Sequence, residues 1–185
     1  IPVSADDRLL EEQKAVVDFR FRKAQRSQEL VAFKIETEIR LERTSNRLAF
    51  KTTVNNQSKD HRLRVLFPTG IITDFHEADS IYEVVKRPNQ VSSHWENPTN
   101  PQHQHAFVNL HDETGGMTVS NFGLNEYEIV KDQICLTLLR CTGELGDWGY
   151  FPTPEAQCLG SHTFEYGVAC HGAPEERYET YRQAQ

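Results

Sequence analysis

From Phe33 onward the chain alternates. Phe33, Ile35, Thr37, Ile39 and Leu41 fall on one side of an extended strand, and Lys34, Glu36, Glu38, Arg40 and Glu42 on the other. A turn through Ser45-Asn46 follows, and then Leu48, Phe50, Thr52 and Val54 alternate with Arg47, Lys51 and Asn55. Period two in two consecutive segments joined by a turn predicts a β-hairpin with one buried face. That hairpin commits the chain to a sheet.

The pattern continues downstream. Asn55 to Asp60 supplies the next turn, and Leu63, Val65 and Phe67 alternate with Arg62 and Arg64 in a third strand stopped by Pro68. Further strands are predicted over Ser80–Val85, Ala106–Leu110, Met117–Ser120, Tyr127–Val130, Ile134–Arg140 and Phe164–Cys170. Gly115-Gly116 and Gly123 mark tight turns between them. Nine or ten short strands at this spacing mean a mainly β chain, an antiparallel β-sandwich or a similar large antiparallel sheet. A hydrophobic fraction of 37% suits strands with one wet face. The segments 89–104 and 146–160 are irregular and rich in loop-forming residues, and long loops in compact domains are usually functional or mobile.

Short helices are expected near both termini. Ser4-Ala5-Asp6-Asp7 has the form of a capping box, and Leu9, Leu10, Gln13, Val16 and Val17 follow at helical spacing, predicting a helix over 5–17. Pro174 opens a second, with Glu175 and Glu176 in its first turn. No Gly or Pro closes it before Gln185, and the chain starts at Ile1 without a Met, so both ends read as cut. The expected organisation is a lead-in over 1–28, a β-sandwich over 29–172 and the start of a truncated helix or linker over 173–185.

Charge excludes some classes of partner. The net charge of −7 is spread along the chain, which speaks against nucleic acid or an anionic membrane. The basic group Arg20, Arg22, Lys23 and Arg26 is read as a solvated face. No run reaches the apolar length of a membrane span. Cys135, Cys141, Cys158 and Cys170 are irregularly spaced without a CxxC pair, which favours reduced thiols and a cytoplasmic origin. Cys135 and Cys170 lie in apolar strand patterns and are expected to be buried. The sequon Asn56-Gln57-Ser58 matters only in a secretory host.

No catalytic centre stands out. His94, His103, His105 and His111 gather within eighteen residues, and His103 and His105 at i, i+2 share a face if extended. A metal site needs a third ligand, for which Asp112 or His94 are the candidates, but no acid or Cys sits at firm ligand spacing. These are read as surface or hydrogen-bonding histidines, and no metal is assigned. Glycoside hydrolysis needs two facing carboxylates. Acids such as Asp74, Glu77, Asp79, Glu128 and Asp147 are plentiful, yet no local motif selects a pair. A nucleophile elbow and a Gly-rich phosphate loop are both missing from the sequence. What remains is a sugar-binding character: Trp95-Glu96-Asn97 with His103-Gln104-His105, Asn121 through Asn125-Glu126-Tyr127, and Trp148 with Tyr150.

Three longer strings narrow the reading. They are Gly146-Asp147-Trp148-Gly149-Tyr150-Phe151-Pro152-Thr153-Pro154-Glu155-Ala156-Gln157-Cys158-Leu159-Gly160, the stretch from Thr52 to Gly70 that includes Asn55-Asn56-Gln57-Ser58-Lys59-Asp60-His61, and Ala78-Asp79-Ser80-Ile81-Tyr82-Glu83-Val84-Val85-Lys86-Arg87-Pro88. Gly123-Leu124-Asn125-Glu126-Tyr127-Glu128 and Leu136-Thr137-Leu138-Leu139-Arg140 belong with them. In this order they resemble the C-terminal β-region of bacterial family 38 glycoside hydrolases, the zinc-dependent α-mannosidases, from about Phe33 to His171.

The resemblance implies a sandwich of the galactose-mutarotase-like, or supersandwich, type. It also implies a large enzyme that removes terminal α-linked mannose with retention. Zinc and the nucleophile would sit in an N-terminal α/β barrel of that enzyme. No residue of this chain matches those motifs, so no catalytic residue, metal ligand or cofactor is assigned within it. The partners implied are the remaining domains of the same polypeptide and a mannoside substrate. Loops of the C-terminal β-region come near the active-site rim in relatives, which makes Asn125, Glu126, Tyr127, Gln104 and His105 the expected substrate-edge residues. The alternative is a non-catalytic carbohydrate-binding or interaction β-sandwich. A metal hydrolase centred on His103 and His105 is the third reading.

Overall fold

The structure, a computed structural model, describes residues 28, 30–91, 94, 100–145 and 151–185. The helix expected over 5–17, the basic group at 20–26, Trp95-Glu96-Asn97, Trp148 and Tyr150 lie outside the described residues.

The first strands are β1 (Lys34–Leu41), β2 (Arg47–Asn56), β3 (Arg62–Pro68), β4 (Phe75–Ser80) and β5 (Glu83–Pro88). Next come β6 (Gln102–His103), β7 (Phe107–His111), β8 (Gly116–Asn121), β9 (Glu126–Val130) and β10 (Gln133–Arg140). β11 (Glu144–Leu145), β12 (Phe151–Pro152) and β13 (Gly160–His171) complete the set, and helix α1 (Arg177–Ala184) follows. One sheet has the order β1-β2-β13-β8-β7-β4-β5, a second β3-β10-β9-β6, and β11-β12 form a small pair. The registered pairs β13/β8, β8/β7, β7/β4, β4/β5, β10/β9 and β9/β6 are all antiparallel.

The chain divides into two compact units. The first draws its described residues from Ile1–Glu36, Thr53–Leu63 and Leu139–His162, the second from Thr37–Thr52, Arg64–Leu138 and Thr163–Gln185.

In the second unit the two larger sheets pack face to face. Ala78, Val108, Leu110 and Val119 from one sheet and Tyr127, Ile129, Ile134 and Leu136 from the other are all buried. Period two puts these residues on one face of each strand, and their burial against one another is the main hydrophobic gain. Phe67 of β3 meets Tyr166 of β13 edge-on at 5.8 Å. The mainly β antiparallel sandwich expected from the sequence is present.

The opposite face of the seven-stranded sheet is covered by α1. Tyr181 stacks on Phe107 at 4.2 Å, and Thr180 Oγ1 lies 2.6 Å from Thr118 Oγ1. Glu77 of β4 accepts hydrogen bonds from Arg177 Nε at 3.0 Å and from the Tyr181 hydroxyl at 2.6 Å. Burial alone would raise the Glu77 carboxyl, but the bonds from Tyr181 and Arg177 hold it below the usual carboxylate range. Glu77→Gln should therefore cost about 2–3 kcal/mol, because it removes the charge that two buried donors face. Urea unfolding followed by circular dichroism measures it. A loss under about 0.5 kcal/mol would mean that α1 is docked by apolar packing alone.

β1 departs from expectation. It pairs with β2 as the predicted hairpin, but all eight of its residues are exposed, including Ile39 at 61% and Leu41 at 64%. The reason lies in the facing sheet, whose edge strand is β3. Phe67 of β3 reaches Phe50 of β2 at 6.2 Å, and among the described residues the cover ends there, one strand short of β1.

Two other expectations are corrected. Ser80–Val85 is not one strand but the tip of the β4/β5 hairpin, with Ser80 opposite Glu83 and Tyr82 at φ +63°. Cys170 is exposed, although Cys135 is buried as expected. It shares a strand face with buried Val168, so the facing sheet stops covering β13 between the two.

In the first unit, Asn56 is buried and organises the chain around it. Its Nδ2 donates to the carbonyls of Cys158 at 2.7 Å and Gln157 at 3.1 Å, while Oδ1 accepts from the Ser58 amide at 3.0 Å. Asp60 Oδ1 accepts from Gln157 Nε2 at 2.7 Å, and the Asp60 amide donates to Gln157 Oε1 at 2.8 Å. These bonds fix the 3-10 turn Pro154–Gln157 and the left-handed Cys158 that ends it.

Candidate functional site

The sequence-selected residues meet at the edge strand of the four-stranded sheet. β6 pairs with β9 so that Gln102 lies opposite Tyr127 and His103 opposite Glu126. The Gln104 amide then donates to the Asn125 carbonyl at 2.9 Å, carrying the pairing past the end of β6. All five expected residues are thus within one short stretch of paired chain.

They divide by depth. Asn125, His103 and His105 are exposed and Glu126 is half-buried, whereas Gln104 and Tyr127 are fully buried. The Gln104 side chain donates to the Leu124 carbonyl and so holds the turn that presents Asn125. His103 and His105 stand edge-to-face with ring centroids 5.0 Å apart, as an i, i+2 pair on extended chain should. Asn125 Nδ2 comes within 3.4 Å of His103 Nε2. Glu126 Oε1 accepts from Thr137 Oγ1 at 2.8 Å, which aims the carboxylate along the sheet.

Below this surface lies a polar network that sequence reasoning missed. The Tyr127 hydroxyl is 2.5 Å from His76 Nε2 and accepts from Arg87 Nη1 at 3.0 Å. His76 Nδ1 is 2.6 Å from Asn89 Oδ1, and Asn89 Nδ2 donates to the Thr73 carbonyl at 2.5 Å. That last bond turns the Asn89 oxygen toward the ring, so Nδ1 carries the proton and Nε2 accepts from Tyr127. Burial pushes the His76 imidazole down to about 4, with Arg87 adding to the fall and the Asn89 bond opposing it. Burial likewise raises the Tyr127 phenol. The network is therefore neutral at His76 and Tyr127 near pH 7, with Arg87 as its charge. One arm of Arg87 also donates to the His103 carbonyl and so ties the buried network to the exposed histidines. The signal in the sequence was cross-strand: His76 and Arg87 face each other only once the β4/β5 hairpin is known.

This arrangement can offer hydrogen bonds to a ligand's hydroxyls from two imidazoles and an amide. Among the described residues no group of three or more His, Cys, Asp and Glu could hold a metal ion. The nearest thing to a nucleophile and base is in the first unit, where Cys141 Sγ lies 3.8 Å from His61 Nε2. The Cys141 side chain is buried, and that burial pushes its thiol up, so it is an inert structural cysteine. Asp112, once a candidate ligand, accepts from the Thr114 and Gly115 amides and shapes a turn.

Comparison with known proteins gives consistent results. A model of the glycosyl hydrolases family 38 C-terminal domain matches residues 6–144. A protein of Halalkalibacterium halodurans described as a mannosylglycerate hydrolase is 45% identical over 171 residues, which are 92% of this chain and 19% of the relative. The crystal structure of an alpha-mannosidase from Enterococcus faecalis V583 superposes with a TM-score of 0.91 at 66% identity, over 100% of this chain and 21% of that one. The structure of a glycosyl hydrolase family 38 protein from Enterococcus faecalis gives 0.88 at 63% identity, again over 100% and 21%. The chain spans about a fifth of the length of the relatives it matches.

Proposed function

Because this chain belongs to family 38 of the glycosyl hydrolases, as its C-terminal domain, we propose that it is the β-sandwich part of a bacterial α-mannosidase. The enzyme removes terminal α-linked mannose, with small mannosides such as mannosylglycerate as the substrate class that the curated relative's description suggests. Retaining hydrolysis would need a carboxylate pair, and the zinc ion that the family likeness implies would be held by other parts of the polypeptide. The described residues of this chain do not fit zinc, and no step of the reaction is assigned to them. The four cysteines form no disulfide among the described residues, which supports a reducing cytoplasm. Among the described residues no helix is long and apolar enough to cross a membrane.

The chain's own role is to buttress the catalytic part and to complete the substrate rim. Asn125, Glu126 and His105 touch the substrate edge in this reading, while Gln104 and Tyr127 set their backbone from beneath. The observation that carries the buttress is the bare apolar face of β1. Ile39 and Leu41 are more than half exposed on a regular strand, which is what an excised interface leaves behind.

The test compares the full-length polypeptide with Ile1–Gln185 alone. Full-length protein should hydrolyse α-mannosides, lose activity to a chelator and recover it with zinc, while the chain alone should show no turnover. Ile39→Asp in the full-length protein should lower its stability or activity severalfold and leave the melting of the isolated chain unchanged. Turnover by the isolated chain would overturn the reading. So would an inactive full-length protein, or an Ile39→Asp variant indistinguishable from wild type.

A further inference from the structure

A second feature of the seven-stranded sheet lies outside the rim and owes nothing to the reading above. On the face that carries α1, beside the C-terminal end of that helix, is an open cavity of about 470 Å³. That volume is within the range of small-molecule sites. Its floor is β1, β2 and β13, and its lining includes Arg47, Lys51, Glu165 and Phe122.

Arg47 is built into this floor. A Cβ at Gly167 would lie 2.3 Å from Arg47 Nε and 2.9 Å from Cζ, so the guanidinium rests flat on bare backbone where any side chain would displace it. Nε donates to Ser120 Oγ at 3.1 Å, across the intervening strand β13. Among the described residues that is the guanidinium's one hydrogen bond, and it leaves the Nη edge open. The other cations of the cavity are matched: Arg40 with Glu38 at 2.8 Å, and Lys51 with Glu165 at 3.9 Å. Arg47 is thus the cation with a planar pair of donors to spare, the geometry that receives a carboxylate or phosphate side-on.

Phe122 is held beside it in an equally deliberate way. Its amide donates to the Glu165 carbonyl at 3.1 Å, Asn121 Oδ1 caps the Leu124 amide at 2.8 Å, and Gly123 takes φ +75°. The backbone is pinned on both sides while the ring stays 84% exposed. A single exposed ring is unremarkable by itself. An exposed ring on a pinned backbone and a held, half-satisfied guanidinium line one cavity, an apolar platform together with an anion fork. That combination matches a pyranose, whose C–H face is apolar, carrying an anionic group at its rim.

We propose that this cavity binds an anionic sugar, its carboxylate or phosphate on the open edge of Arg47 and its pyranose ring against Phe122. The two kinds of anion are distinguished by the ligands used. Glucuronate and glucose 6-phosphate, neither of them a mannoside, are titrated into the full-length protein by calorimetry, with glucose and acetate as controls.

Binding of either anion should weaken by about tenfold or more in Arg47→Gln, and also in Arg47→Lys, which keeps the charge and loses the fork. Phe122→Ala should weaken it severalfold while leaving acetate unaffected. Whichever of the two anions binds more tightly identifies the group that Arg47 reads. The proposal fails if neither anion binds, if glucose or acetate binds as well as glucuronate, or if Arg47→Gln changes nothing. Mannosidase activity of the same samples is the independent readout. Loss of anion binding with activity retained is the expected behaviour of the variants, and an inactive wild type would count against the catalytic assignment rather than this site.

Discussion

Phe107→Ala is expected to destabilise the fold by about 3–5 kcal/mol, a large part of the roughly 5–15 kcal/mol that holds a domain together. Phe107 is 0% exposed and sits between the seven-stranded sheet and α1. On β7 it is opposite Ser120 of β8, and its ring lies against Tyr181 of α1 at 4.2 Å and 19°. Truncation removes the buried ring and leaves a cavity that the rigid sheet cannot close. The stacked pair also adds about 0.5–1.5 kcal/mol beyond its area.

Helix α1 has eight residues, too few to persist without its docking face. Its loss should therefore accompany the cavity. At about 2–4 °C per kcal/mol the melting temperature should fall by roughly 10 °C. Phe107→Leu, which keeps most of the volume, should cost much less. Equal and small losses in both variants, by thermal melting and urea titration, would show that the helix is held by its polar bonds instead.

Acidification should weaken the fold through His76. Burial keeps the folded imidazole at about 4, whereas the unfolded chain titrates near the ordinary 6.5. The folded value is the lower one, so between these limits the unfolded chain binds the proton more readily. Stability is then fully present above about pH 6.5 and declines as pH falls toward 4, by up to about 3 kcal/mol from this group. Below 4 the loss levels off. His111 and His61, also lowered chiefly by burial, add to the slope in the same direction.

The check is urea unfolding at several pH values on wild type and His76→Gln, with the His76 ring followed by NMR. The variant should start less stable at pH 7 and approach wild type as the pH drops, because it has no proton to take up. A ring that titrates near 6.5 in the folded protein, or two parallel stability profiles, would remove His76 from the account.

Much of this could be seen in the sequence, for a definite reason. Alternation states which side chains share a strand face, and the strands through Thr52, Tyr127, Leu136 and Val168 lie where it placed them. Alternation does not state what covers a face. Ile39 and Leu41 have the same pattern as a core strand yet are exposed, because among the described residues the facing sheet reaches only as far as Phe67 over Phe50. Ile81 and Tyr82 misled in the other direction: apolar residues suggested mid-strand, yet they form a two-residue turn with none of the usual Gly or Asn.

The candidate site shows the same division. Composition marked the clusters, the family resemblance singled out Gln104, His105, Asn125, Glu126 and Tyr127 within them, and β6/β9 pairing does gather these five. Composition could not separate the buried Gln104 and Tyr127 from their exposed neighbours, because depth comes from the sheet. Nor could it find His76, Arg87 or Arg47, whose partners are set by cross-strand register and by a glycine on another strand.

Asn56 carries a consequence for making this protein. It heads an N-x-S sequon, yet in the fold its amide is sealed beneath Cys158 and Gln157. An oligosaccharide cannot enter that space, so modification and folding are mutually exclusive outcomes for one nascent chain. In a secretory host the transferase can reach Asn56 only while the polypeptide is still open, before Gln157 and Cys158 close over it. Each molecule glycosylated at that moment is diverted permanently from the native state. Synthesis in a compartment without the transferase avoids the race altogether.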